Sequence, residues 1–138
     1  MKVHTTNYFN TFIEIAEDSP INEGEIPAMK RDKKSVANHQ FEILRDNPYK
    51  FTSDDVLFNV FAIRKEIPSA ELEEARATFY SKGQPCFRAS PLPKRYGWGI
   101  HSDAEGRIAM FAAGTEEYQA FLEDDSVEKV KAMRSKRE

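Results

Sequence analysis

A single cysteine, Cys86, stands in 138 residues. That excludes an internal disulfide and any cysteine-rich zinc site. Histidine is scarce as well: His4, His39 and His101 lie far apart, with no pair at helical or hairpin ligand spacing, so no metal site is read. There is no glycine-rich phosphate loop and no dinucleotide fingerprint, so no cofactor is expected. The longest apolar run is IAMFAA, residues 108–113. It falls far short of the roughly twenty residues that a membrane helix needs. The opening MKVHTTNYFNTF has neither the apolar run nor the small-residue cleavage site of a secretory signal. A soluble cytoplasmic protein with no membrane partner is expected. An excess of positive charge is missing too: the net charge is −3, which argues against a dedicated nucleic-acid binder.

What is present is an ordinary globular composition, with 40% apolar, 12% aromatic and 31% charged residues. It suits one domain, 1–138, able to bury a core without disulfides or metal. Charge is unevenly placed. Residues 82–107 and 127–138 each carry a local +3, and residues 115–126 carry five acids and no base. Such blocks serve as solvated faces or as a basic stripe.

Period and punctuation predict the elements. TFIEIA, residues 11–16, alternates as a short strand. Residues 17–34 hold two prolines, a glycine and many charges, and read as a long surface loop. Ser35 caps a helix from about 36 to 46, with Ala37, Phe41 and Leu44 inward and Pro48 beyond its end. Thr52 caps the next, with Phe51 and Val56 at staple positions, although 56–63 is apolar enough to be a buried strand. Ser69 caps a third with Leu72, Ala75 and Phe79 inward. Cys86–Arg88 suggests a short strand. Residues 95–101 alternate, with Tyr96, Trp98 and Ile100 on one face, and DAEG turns the chain into a returning strand, 107–113. Thr115 starts a short helix. Ser126 starts a last one through Val127, Val130 and Met133, whose basic end at Lys129, Lys131, Arg134, Lys136 and Arg137 suits its dipole. The sum is α+β: a small antiparallel sheet, the N-terminal strand plus the 95–113 hairpin, packed against several helices.

Three phrases, NPYKFTSDDVLF, CFRASPLPKRYGWGIHSDAEGR and KVKAMRSKR, together resemble a family of small single-domain bacterial proteins, a domain of unknown function. The resemblance covers nearly the whole chain. It implies one intact domain in a bacterial, cytoplasmic setting and carries no activity or site residues with it.

The candidate site is the basic hairpin, 88–107. Arg88, Lys94, Arg95 and Arg107 are four cations near Tyr96 and Trp98. Arginine forks grip phosphate or carboxylate, and aromatic rings stack on bases. Equally, the cations suit a solvated rim, and Tyr96, Trp98 and Ile100 suit a core face. Gly97 and Gly99 leave the opposite strand face bare, either for close packing or for a ligand groove. His101 is a weak catalytic candidate as acid or base, and Cys86 a weaker one as nucleophile. Three function classes follow. The first is a non-enzymatic binding or accessory protein for an anionic small molecule, a nucleic acid or an acidic protein face. The second is a small hydrolase or transferase using His101. The third is a protein-interaction module that docks through the 17–34 loop or the basic C-terminal helix.

Overall fold

Side-chain hydroxyls begin three of the helices where the sequence places them. The structure, a computed structural model, describes residues 3–135. Ser35 Oγ accepts from the Asn38 N–H at 3.2 Å, while Asn38 Oδ1 accepts from the Ser35 N–H at 2.8 Å, and this capping box opens α1, Val36–Asp46. Thr52 and Asp55 repeat the device at α2, Ser53–Arg64, so the apolar stretch 56–63 is helix and not strand. Thr115 Oγ1 accepts from the Tyr118 N–H and opens α5, Glu116–Glu123. Between α2 and α5 lie α3, Leu72–Phe79, and a short α4, Pro91–Arg95. Ser69 does not cap α3 as expected: it lies inside a 3₁₀ turn, Ser69–Glu71, that leads into the helix, and the N-cap is Glu71, with no side-chain cap bond.

The sheet has four strands in the order β3-β2-β1-β4. β1 is Thr11–Glu14, β2 Trp98–Ser102, β3 Ile108–Ala112 and β4 Glu128–Lys131. β1 runs antiparallel to β2 with Phe12 opposite His101, and parallel to β4 with Ile13 opposite Val130. The sheet is therefore mixed, and the α+β class holds with one strand more than the hairpin and the N-terminal strand supply.

The two sheet faces are covered differently. Ile13, Ile100 and Ile108 face α1, α2 and α4 and pack with Phe41, Leu44, Val56 and Leu92. Phe12 lies on the other face, against Tyr118 and Phe121 of α5. A third cluster joins α2 to α3 through Phe58, Ala62, Phe79 and Tyr80.

Further expectations are corrected. Residues 126–133 form a turn and β4, not a helix. Val127, Val130 and Met133 do fit a helical spacing, but β1 offers an open edge, and Val130 and Ala132 alternate inward onto it. Lys136 and Arg137 lie outside the described residues. Phe87–Ala89 is a 3₁₀ turn rather than a strand. The following Ser90-Pro91 is a helix start, with Ser90 Oγ accepting from the Leu92 N–H and proline at the first helical position, where it needs no donor. Finally, the hairpin begins at Trp98. Tyr96 is the last residue of the α4 turn, and Gly97 at φ +77° separates it from the strand.

Candidate functional site

Trp98 belongs to the architecture. Its ring meets Phe41 edge-on, with centroids 5.4 Å apart, and its indole N–H donates to Glu25 O at 2.8 Å. The glycines beside it are both covered. A Cβ on Gly97 would strike the carbonyl of Glu23, and one on Gly99 would strike the rings of Phe12 and Tyr118. The bare strand face is close packing, with no room for a ligand.

The four hairpin cations are dispersed. Arg88 clamps β4: its Nε donates to Lys131 O at 2.7 Å, and its carbonyl accepts from the Met133 N–H at 2.8 Å. Arg107 lies beside the DAEG turn, 3.4 Å from Glu105. Lys94 and Arg95 stand at the opposite end of β2, roughly 13 Å away along a strand of this length. Both occupy the last turn of α4, where the dipole favours cations.

His101 is packed rather than poised. Its Nδ1 shares a 2.8 Å hydrogen bond with Tyr49 Oη, and its ring stacks on Phe121 at 4.3 Å. Burial lowers its pKa, with Asp103 and Asp124 opposing. Burial likewise pushes the Tyr49 phenol up to about 12, helped by Asp103. Cys86 is half-buried, and its Sγ lies 3.4 Å from Tyr8 Oη. Burial raises the Tyr8 phenol pKa, the neighbouring thiol adds to it, and Arg88 opposes it. The thiol borders the α1–α2 side of the sheet and the imidazole borders α5. They form no dyad.

The 17–34 loop supplies what the hairpin does not. It is docked, not loose: the Glu25 N–H donates to Tyr96 O at 2.8 Å, and Asn38 Nδ2 donates to Pro27 O at 2.8 Å. Its far end is a tight turn closed by the Lys33 N–H on Lys30 O at 2.9 Å. The central residues Arg31 and Asp32 have φ of 48° and 60°, the left-handed pair that marks a type I′ turn. This turn and Tyr96 enclose a cavity of about 400 Å³. Lys30, Arg31, Lys33 and Lys34 line it, together with Ser35 and Asn38 at the start of α1, and among the described residues no carboxylate does. Of the four cations, Lys34 is paired with Glu42 at 2.8 Å. The sequence signal was the run MKRDKKS directly before a helix cap, four bases against one acid. Reading that run as part of a long polar loop hid it.

Among the described residues, no group of three or more His, Cys, Asp or Glu side chains is placed to hold a metal ion. No helix among them is long and apolar enough to cross a membrane.

A family profile covers residues 3–138, which is almost the whole sequence. The chain belongs to DUF6157, a family of unknown function. No curated protein and no solved structure matches it. Membership therefore brings kinship and leaves the reading of DUF6157 chemistry to the geometry above.

Proposed function

We propose that this protein is a cytoplasmic, single-domain, non-enzymatic binding or accessory protein for a small phosphate-bearing anion. The anion is held between the Lys30–Lys33 turn and Tyr96. One observation carries this reading: a concave site of about 400 Å³ is lined by four cations and, among the described residues, by no acid. Clustered Lys and Arg donors bind phosphate oxygens through charge-assisted hydrogen bonds, which are about twice as strong as neutral ones. Tyr96 lines the same site. Lys94 and Arg95 immediately precede it and add to the local field. A small ligand is favoured over a nucleic acid because the cations are gathered at one turn and the chain as a whole is acidic.

Trp98 is the reporter, because its indole is bonded to the same loop at Glu25. Its fluorescence is followed at low salt during titration with pyrophosphate, a nucleoside triphosphate and a short single-stranded oligonucleotide. A saturable change with the small phosphates, weakened by salt, is expected. The double variant R31E/K33E should lose about tenfold or more in affinity while melting like the parent. Silence with every phosphate, or unchanged affinity in that variant, overturns the reading. Binding of the oligonucleotide alone replaces the small anion with a nucleic-acid backbone.

A further inference from the structure

A second cavity, of about 430 Å³, lies where α1 and α2 meet the Gln84–Pro91 segment. Val36 and Gln40, one helical turn apart, face it, whereas Asn38 between them faces the basic cavity. Leu57, Val60, Phe61 and Phe79 make its apolar wall, and Cys86 borders it. The size is that of a small-molecule site. Two polar groups distinguish it from a packing defect. Gln40 is 2% exposed. Its Oε1 accepts from Ser90 Oγ at 2.6 Å, and Ser90 Oγ also accepts from the Leu92 N–H. The Gln40 Nε2 donors are then left without a hydrogen-bond partner among the described residues. Nε2 is not sealed away from the cavity space, so an acceptor that enters the cavity can take its hydrogen bond. The second group is Arg64, one turn beyond Val60 on α2. No carboxylate among the described residues pairs with Arg64, and no acidic side chain lines the cavity.

We propose that this cavity is a binding site for a small organic acid with an apolar body and a second oxygen acceptor. The carboxylate pairs with Arg64, the body fills the Leu57–Phe79 wall, and the second oxygen takes the hydrogen bond of Gln40 Nε2. The site is separate from the basic turn, and neither assignment depends on the other.

The test uses two acids that differ by one ketone oxygen, benzoylpropionate and phenylbutyrate, with phenylbutylamine as the charge-reversed control. Binding is measured by calorimetry. Occupancy is read independently as protection of Cys86, the only thiol, from iodoacetamide. Benzoylpropionate is expected to bind, to slow alkylation, and to bind more tightly than phenylbutyrate. R64Q, a surface change, should weaken both acids about fivefold or more. Q40L should erase the preference for the ketone. The amine should fail. If Q40L does not fold, the comparison of the two acids on the parent protein still tests the Gln40 contact. Absence of binding by either acid at about 10 mM overturns the site, because that concentration detects even weak ligands. Equal binding of the amine, or indifference to R64Q, overturns the carboxylate assignment. Equal affinity of the two acids in the parent protein overturns the role of Gln40.

Discussion

His101 shows what a histidine does when a sheet face closes over it. Its ring is stacked on Phe121 and bonded to Tyr49, and burial holds its pKa below its ordinary value near 6.5. The folded state therefore resists protonation and the unfolded chain does not. Below about pH 6.5 the unfolded chain binds more protons, so stability falls as pH drops from there to the lowered folded pKa. Above that window the contribution is fully present. Urea unfolding at about pH 7.5 and about pH 5 should show the parent losing more stability than His101→Gln over that interval. Parallel losses would place the acid sensitivity elsewhere. At this scale the sequence was half legible. The glycines at 97 and 99 announced a close approach, but alternation alone does not say whether rings, backbone or ligand come close. Phe12 and Tyr118 are 87 and 19 residues away from Gly99, and only the fold brings them to it.

Among the elements, the Lys30–Lys33 turn stands out for its residues. Type I′ turns need φ > 0 at both central positions and are ordinarily built with asparagine, aspartate or glycine. Here Arg31 takes the first of them. A non-glycine residue in that region carries a backbone penalty of roughly 1–2 kcal/mol, less for aspartate. A basic side chain held in an unfavourable backbone conformation beside three other cations is consistent with a binding role for the turn. Asp32→Gly should raise stability by a few tenths to about 1 kcal/mol, because glycine has no Cβ to strain at φ > 0. Asp32→Val should lower it by about 1–2 kcal/mol, since a branched Cβ is poorly tolerated there. Thermal melts of the two variants moving in the same direction would refute the turn geometry. The helix starts were the most legible elements, because a cap is a local bond between residues three apart. β4 was the least legible: EKVKAM carries both a helical and an alternating pattern, and a partner more than a hundred residues away decides between them.

At the scale of the molecule, two segments far apart in sequence close the fold. The N-terminal segment is tied down by Asp54, whose carboxylate accepts from the Thr5 hydroxyl and from the N–H and hydroxyl of Thr6. The C-terminal segment completes the sheet. The Glu128 N–H donates to Asn10 O and the Ala132 N–H to Glu14 O, both at 2.9 Å, and Arg88 holds the same strand from the other side. Without β4, the central strand β1 would become an edge, and Ile13 and Ala16 would lose the cover of Val130 and Ala132. This is why the C-terminal segment does not serve as a free basic helix for docking: its backbone is spent on the sheet. Deleting residues 124–138 removes the buried Val127 and Ala132, the half-buried Val130 and the ladder to β1. At about 1.5–3 kcal/mol for a fully buried valine, and with the ladder bonds added, the loss is roughly 3–5 kcal/mol. A typical domain holds only about 5–15 kcal/mol in all. The truncated chain should therefore unfold at much lower urea than the parent, or show no cooperative transition. An unchanged midpoint would mean that β4 is not part of the sheet, and would return the C-terminal segment to the surface as a candidate docking element.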